Sequence, residues 1–180
     1  MICKKVIGNN IGRARYKANL SMADLAEKVN QIRKTKTKLD RCHIFHYEAG
    51  KKKIRASIFF CVCLALKIAP DEMVREKSKL PLWEIQDPSL ESEAEIQKRF
   101  SRNILNKLQT ANFTTSSFVN NFNDIAWECG VYGENDTLSP TTAWRYLNGI
   151  GLKNLSIEKI AVITKLLGSS LEDLLKEPPA

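Results

Sequence analysis

Apolar positions recur every three to four residues through much of the chain, a period typical of amphipathic α-helices. In residues 1–79 this pattern and its flanking caps predict five helices. They run from about Lys5 to Lys17, from Ser21 through Val29, from Asp40 through Tyr47, over residues 58–66, and from about Pro70. Ser21 and Asp40 are residue types that cap helix N-termini, and Gly50 is typical of the position after a helix. The sequence therefore predicts an all-α fold.

A second series of helices repeats the order of the first. When the chain is shifted by 93 residues, Ile7 matches Phe100 and residues 18–21 match 111–114. Three later segments also match: YEAG at 47–50 with YLNG at 146–149, Ser57-Ile58 with Ser156-Ile157, and residues 65–74 with 166–175. Thr114 and Ser139 stand where caps are expected, with Pro140 as the first helical residue. The repetition predicts two related helical domains.

The two series are separated by residues 76–93, where Pro81 and Pro88 disfavour a continuous helix. Four apolar residues, Leu80, Leu82, Trp83 and Ile85, suggest that this stretch packs on one of the domains. A helix is expected from about Ser89, and its apolar face consists of Ile96, Phe100, Ile104 and Leu108. The predicted boundaries are a first domain over 1–79, a linker over 80–94 and a second domain over 95–180.

The positive charge of the chain lies in its first domain. The net charge is +8, yet residues 1–80 hold 19 Lys and Arg against 7 Asp and Glu, whereas residues 81–180 hold 9 against 13. Two runs concentrate the cations: RKTKTK at 33–38 and KKKIR at 51–55. This asymmetry indicates a polyanionic partner for the first domain and a different task for the second.

The sequence also bears on where the protein works. No segment near the N-terminus has the features of a signal peptide, and the apolar run at 58–66 is far shorter than the roughly 20 residues of a membrane span. Five cysteines without a secretory signal argue against a disulfide framework. We therefore expect a cytoplasmic protein with no membrane partner.

Three segments of the first domain stand in a characteristic order: LSMADLAEKV (20–29), IFHYEAG (44–50) and LALKIAPDEMV (64–74). In order, spacing and turn residues they resemble the phage-repressor (Cro/XRE-type) helix-turn-helix family. The likeness covers about residues 7–75 and, more weakly, 100–176. It implies two tandem five-helix helix-turn-helix domains of phage-repressor type, in which the third helix enters the major groove of duplex DNA.

The chain departs from the family pattern in the turn between its second and third helices. That turn normally has about four residues, whereas here residues 30–39 occupy the first gap and about 123–138 occupy the second. In the second copy Ile125, Ala126 and Cys129 could extend the second helix. A stretched turn changes the expected angle between the two helices.

The resemblance further implies an ion pair between Arg15, late in the first helix, and Glu48 of the YEAG segment. In the second copy these positions are Leu108 and Leu147, so both partners are apolar together. A buried charge left without its partner is costly, whereas a fully apolar pair can be neutral. Joint replacement therefore supports one packed site in each domain.

The outer face of the third helix is the candidate reading surface. If Ile44 and Tyr47 point inward, the residues facing outward are Arg41, Cys42, His43 and His46, at positions where the family contacts base edges. Arg41 suits a bidentate contact with guanine. The cations expected to contact phosphate are Arg33, Lys34, Lys36, Lys38, Lys51, Lys52, Lys53 and Arg55. In the second copy the equivalent base-reading residues are Thr141, Thr142 and Arg145, with Asn148 and Lys153 at phosphate.

Other interpretations of this cluster stay open. Zinc could bind Cys42 and His46, but a third and a fourth ligand are missing nearby, so neither a metal nor another cofactor is expected. A Cys-His nucleophile would lack an evident oxyanion donor set, so enzymatic activity is not expected either. The helix could also be ordinary surface, and Trp144 in the second copy fits either a core or an exposed interface.

The expected function is sequence-specific binding of double-stranded DNA in transcription regulation, with repression favoured over activation. Two geometries fit: both domains of one chain on adjacent major grooves, or a homodimer paired through the second domain, with half-sites about 34 Å apart. The acidic second domain favours the homodimer, because a duplex would repel it. The alternative function is that of an antitoxin or adaptor, which uses these domains for protein contacts.

Overall fold

The fold is known from a computed structural model that describes residues 4–83, 92–133 and 136–177. This part of the chain is all-helical and contains no strand, which confirms the prediction that the protein is all-α. The first half contains helices α1 (Lys4–Lys17), α2 (Met22–Arg33), α3 (Arg41–Glu48), α4 (Ala56–Leu66) and α5 (Pro70–Val74). The second half contains α6 (Glu93–Thr110), α7 (Thr115–Glu128), α8 (Pro140–Leu147), α9 (Ile157–Leu166) and two 3₁₀ turns, Leu152–Asn154 and Glu172–Leu174. No helix in these ranges is long and apolar enough to cross a membrane.

Four predicted N-cap residues accept hydrogen bonds from the first turns of α2, α3, α7 and α8. The Ser21 hydroxyl accepts from the N–H three residues on at 3.1 Å, and the Asp40 carboxylate accepts in the same way at 3.0 Å. Thr114 and Ser139 repeat this contact at 3.1 and 3.2 Å for α7 and α8. Each cap satisfies a backbone donor that the helix itself leaves unpaired. These four helices therefore begin where the sequence predicts.

The same buried hydrogen bonds recur in both halves, which supports the internal repeat. Asn10 of α1 and Asn103 of α6 each donate from Nδ2 to two carbonyl oxygens near the end of their half. The acceptors are Met73 (3.0 Å) and Arg75 (2.9 Å) for Asn10, and Leu174 (2.9 Å) and Lys176 (2.8 Å) for Asn103. The asparagines are 93 residues apart and their acceptors are 101 apart, so the two halves follow one plan with small insertions.

The correspondence between the halves differs from the prediction at two points. The N-caps of α4 and α9 are Arg55 and Ser156, so these two residues are equivalent, and the expected match of Ser57 with Ser156 is wrong by two positions. The match of residues 65–74 with 166–175 agrees with the structure, since Lys67 and Gly168 both follow their helix with positive φ. The fifth element of the second half is a 3₁₀ turn rather than an α-helix.

A second repeated contact fixes the entry into the third helix of each half. Asn30 donates to the Leu39 carbonyl at 2.8 Å and accepts from the Leu39 N–H at 2.9 Å. Asn123 accepts from the Leu138 N–H at 2.8 Å, across 15 residues instead of nine. As expected, the longer gap also holds extra helix, because α7 continues to Glu128.

We predict that Asn30→Ala lowers the free energy of unfolding by about 1–3 kcal/mol, because both backbone groups of Leu39 lose their partner. Urea denaturation followed by circular dichroism measures the loss. The matched control is Asn9→Ala on the exposed face of α1, which should be neutral or slightly stabilising because alanine favours the helix. Equal effects of the two changes would show that Asn30 does not hold the loop.

The two halves pack against each other around one continuous core. Phe60 of α4 lies 5.6 Å from Phe100 of α6, ring centre to ring centre, and both rings are buried. Glu93 at the start of α6 is buried as well, where it pairs with Arg33 at 2.6 Å and accepts from the Ser57 hydroxyl at 2.8 Å. Because Glu93 lies inside the predicted linker, this stretch anchors the second half to the first.

The part of the linker that the structure describes agrees only partly with expectation. Leu80 is buried, and the backbone N–H of Trp83 donates to the Lys67 carbonyl at 2.7 Å, so this stretch does pack on the first half. Leu82, however, is 75% exposed, so it does not share the buried position of Leu80. Ile85 and the expected helix start at Ser89 lie outside the described residues. The apolar face of α6 is buried as predicted.

Candidate nucleic-acid interface

Helix α3 presents one face to the core and the other to solvent. Ile44 and Tyr47 are buried, as predicted from their spacing. Arg41, Cys42 and His46 are exposed on the opposite side. The helix therefore offers a cation, a small thiol and an imidazole to whatever approaches this face.

An ion pair fixes the C-terminal end of α3 against α1. Arg15 Nε lies 2.6 Å from Glu48 Oε1, and a second nitrogen of the guanidinium lies 2.9 Å from Oε2, which makes the pair bidentate. The third nitrogen donates to the Leu20 carbonyl at 2.8 Å. Hydrogen bonding to Glu48 raises the pKa of Arg15, although burial opposes the shift. Arg15 and Glu48 are only 4% and 11% exposed, so the predicted pair exists and lies in a buried site.

Two glycines allow this close contact between α1 and α3. A Cβ on Gly8 would lie 2.3 Å from the Tyr47 carbonyl oxygen, so any side chain there would push the helices apart. Gly50 has a φ of +63°, and its Cβ would meet the backbone of Lys5 at 3.0 Å. At the position of Gly8 the second half carries Ser101, so α6 has no such glycine opposite α8. The orientation of α3 is therefore set by backbone contact as well as by the ion pair.

His43 and Thr142, which we predicted to read bases, take part in helix capping. The Nδ1 atom of His43 lies 2.8 Å from the Asp40 carboxylate, and the ring is about one-third exposed. The backbone N–H of His43, followed by its ring, lowers the pKa of the Asp40 carboxyl. In the second half the Thr142 hydroxyl lies 2.8 Å from that of Ser139. His43 retains Nε2 for an outside partner, and both residues orient the start of their helix.

Cations lie before and after α3. Lys34, Lys36 and Lys38 are exposed in the loop that leads into the helix, and Lys51, Lys52, Lys53 and Arg55 are exposed in the segment that leaves it. The ammonium of Lys51 also lies 5.2 Å from the centre of the Phe45 ring. The exposed face of α3 is therefore bordered along the chain by two basic segments.

Arg33 is an exception, and its predicted contact with phosphate is wrong. The side chain is only 6% exposed, because it points into the boundary between the halves and pairs with Glu93. It also donates to the Thr37 carbonyl at 3.0 Å, which stabilises the loop that carries the exposed lysines. Arg33 therefore stabilises the conformation of the loop that carries the exposed lysines and does not itself face solvent.

The second half presents an equivalent but chemically different face on α8. Thr141, Arg145 and Lys153 are exposed. Asn148 is exposed too, but its Nδ2 donates to the Trp144 carbonyl at 2.8 Å, so its amide is partly committed to the end of α8. This face has fewer cations than the face of α3.

Both faces carry an exposed aromatic ring that we did not assign to the site. Phe45 is 45% exposed and Trp144 is 52% exposed, and the two positions are equivalent in the repeat. Each ring follows a buried residue, Ile44 or Ala143, and one residue corresponds to a rotation of about 100° around a helix. That rotation directs the ring outward, so the spacing already indicated its exposure.

A cleft between the halves brings together three cations from different elements. Lys53 of the first half and Arg145 and Lys159 of the second half line a cavity of about 420 Å³. Burial lowers the pKa of Lys159, the charge of Lys53 lowers it further, and Asp136 acts in the opposite sense. Lys159 was not predicted, although a lysine in the first turn of a helix opposes the helix dipole and is a usable signal.

We predict that Lys159→Met raises the free energy of unfolding at pH 7 by up to about 0.5 kcal/mol. The pKa of Lys159 in the folded protein lies below its ordinary value of 10.5, so the charged form opposes folding at any pH below the folded pKa. The gain should shrink as the pH rises through that pKa, because the wild-type amine then becomes neutral too. Denaturation at pH 7 and at pH 10 measures the difference in the free energy of unfolding between the variant and the wild type. The control is Lys67→Met, which changes an exposed lysine directly after the C-terminal end of α4, whereas Lys53 precedes the N-terminal end. A loss of stability at pH 7 would contradict the account.

Within the described ranges no three His, Cys, Asp or Glu side chains form a group that could hold a metal ion.

The chain matches no family model, no curated protein and no solved structure. What can be said of its function therefore depends on its own residues and on the repeat that they form.

Proposed function

We propose that the protein binds double-stranded DNA sequence-specifically through the outer face of α3 and thereby regulates transcription. The observation that carries this proposal is the exposed face of Arg41, Cys42 and His46 between two basic segments, on a helix fixed by the buried Arg15–Glu48 pair. Cations position a protein on the phosphate backbone, whereas side chains on a protruding helix can reach base edges. Repression is favoured over activation because the sequence resembles repressors.

The charge distribution supports a polyanionic partner. Seven exposed cations lie in the two segments before and after α3, and Lys53, Arg145 and Lys159 line the cleft beside α8, while the chain as a whole carries +8. Phosphate contacts release counterions from the duplex, so such binding weakens steeply with salt. Rigid support of the reading helix would keep its side chains in register with the bases.

Selection of duplexes from a random library with the full chain tests the proposal. We expect enrichment of one sequence, bound at least about 10³-fold more tightly than a scrambled duplex. The logarithm of the affinity should fall with the logarithm of salt concentration by about 0.9 for each phosphate contact. No enrichment, or an affinity independent of salt, would contradict the proposal.

A second candidate function is protein binding through the second half. Trp144 and Ile150 are 52% and 42% exposed, and large exposed apolar side chains mark contact sites more often than charged ones do. The acidic balance of residues 81–180 also disfavours a duplex at this face. An antitoxin or adaptor would retain its protein partner when Lys51, Lys52 and Lys53 are neutralised and lose it when Trp144 is changed to Ala, whereas binding to DNA should weaken when the three lysines are neutralised.

A further inference from the structure

Equivalent residues of the two halves contact each other across the boundary between them. The Ala56 N–H donates to the Leu155 carbonyl and the Ile157 N–H donates to the Ile54 carbonyl, both at 3.0 Å. Ile54 is equivalent to Leu155, and Ala56 is equivalent to Ile157. Exchanging the two halves therefore converts each of these hydrogen bonds into the other. Arg55 and Ser156, the equivalent pair between them, face each other as an antiparallel bridge.

A second self-matched contact lies near the end of each half. Asp71 accepts from the N–H groups of Leu171 and Glu172, both at 3.0 Å, and Asp71 is equivalent to Glu172. Contacts in which a position meets its own equivalent are the signature of a two-fold axis between subunits. Here the two units belong to one chain, and the reciprocal contact of residues 54–56 with 155–157 indicates a local two-fold axis between the halves.

A two-fold axis that exchanges the halves also exchanges α3 with α8. Paired reading helices related in this way are the arrangement by which two protein units occupy two half-sites of one duplex. The two faces differ, because Cys42 and His46 of α3 correspond to Thr141 and Arg145 of α8. Because α3 and α8 present different side chains, they should recognise half-sites of different base sequence.

The region between the readers is suited to the centre of such a site. The segment from Lys51 to Arg55 connects α3 with the two-fold contact, and the cleft lined by Lys53, Arg145 and Lys159 lies beside it. Backbone phosphates between the half-sites would meet these cations. The negative balance of the second half therefore does not prevent α8 from approaching a duplex, because Lys53 and Lys159 line the same cleft as Arg145 of α8.

We propose that a single chain occupies one asymmetric duplex site, with α3 reading one half-site and α8 reading the other. This inference rests on the proposed function and changes the expected stoichiometry, since the acidic second half had favoured a homodimer. The additional contacts of α6 with the first half, through Glu93 and Phe100, fix the two readers relative to each other without a second copy.

Native mass spectrometry of the full chain on its selected duplex tests the stoichiometry, and we expect one chain per duplex. Selections repeated with Arg41→Ala and with Arg145→Ala test the assignment of half-sites. Each change should reduce discrimination by about 5- to 150-fold, at base positions on opposite sides of the site and about one helical turn apart. Two chains per duplex, or both changes acting at the same positions, would overturn the inference while leaving DNA binding intact. Failure to select any duplex would instead remove the proposed function, and this inference with it.

Discussion

Arg15→Leu should lower the free energy of unfolding by about 3–5 kcal/mol, because the Glu48 carboxylate then stays buried without its bidentate partner. Arg15→Leu combined with Glu48→Leu should recover most of that loss. The second half shows that the site accepts two leucines, since Leu108 is buried and Leu147 packs against the core. The midpoint of urea denaturation, converted to free energy, measures both effects.

The double change of Arg15 and Glu48 to Leu should not restore the full free energy of unfolding, and the cause lies in α1. Gly12 leaves room for the Glu48 carboxylate, whose Oε2 would lie 3.4 Å from a Cβ at that position, whereas the second half has Leu105 there. Without Glu48, Gly12 leaves a gap that costs part of the packing energy. Arg102→Leu, on the exposed side of α6, is the control and should change stability by less than about 0.5 kcal/mol. Equal losses for the single and the double change would mean that the pair is not coupled.

Replacing Lys51, Lys52 and Lys53 with Gln should weaken binding to the selected duplex on the order of 10²-fold at physiological salt. The expected cause is the loss of three phosphate contacts, so the salt dependence of the affinity should also become shallower by about 2.7 logarithmic units per decade. Preference for the selected sequence over a scrambled one should persist, because phosphate contacts carry no sequence information. Fluorescence anisotropy across a salt series measures all three quantities.

A charge-matched control separates local contacts from net charge. Lys67, Lys77 and Lys79 are exposed near α5, which packs on α1 and α4, and replacing them with Gln removes the same total charge. Their replacement should change the affinity and the salt dependence far less than the first set does. If both sets weaken binding equally, the protein is attracted by its overall charge and α3 has no special role.

Local sequence signals predicted most of the helices because their determinants are short-range. Ser21, Asp40, Thr114 and Ser139 cap helices through contacts three residues away, and apolar spacing fixed the inward side of α3. The repeat was recognisable because caps and turns kept their order even where identities were lost. The Arg15–Glu48 pair was inferred from the resemblance and from its joint replacement in the second half, and the structure contains it.

The contacts between the halves could not be predicted from the sequence. Arg33 looked like part of a basic run, but its partner Glu93 lies 60 residues away and becomes its neighbour only when α6 packs on the first half. The cleft of Lys53, Arg145 and Lys159 likewise combines three separate elements. No local pattern encodes such proximity. The residues of α3 that we propose as base readers were therefore easier to find than the geometry that relates α3 to α8.

The accessibility of Cys42 tests most directly whether a duplex covers the outer face of α3. Cys42 is exposed, whereas Cys61, Cys63 and Cys129 are buried. Burial raises the pKa of the Cys61 thiol to about 12 and also raises the pKa of the Cys63 thiol above its ordinary value. Cys3 lies outside the described residues, so the experiment uses a Cys3→Ser variant.

The rate of Cys42 alkylation by a small maleimide should fall at least about 10-fold when the selected duplex is present at 100 times its Kd, because free protein is then about 1% of the total. A scrambled duplex at the same concentration should protect far less. An unchanged alkylation rate under conditions where anisotropy shows the selected duplex fully bound would mean that the DNA lies elsewhere on the protein and would contradict the account.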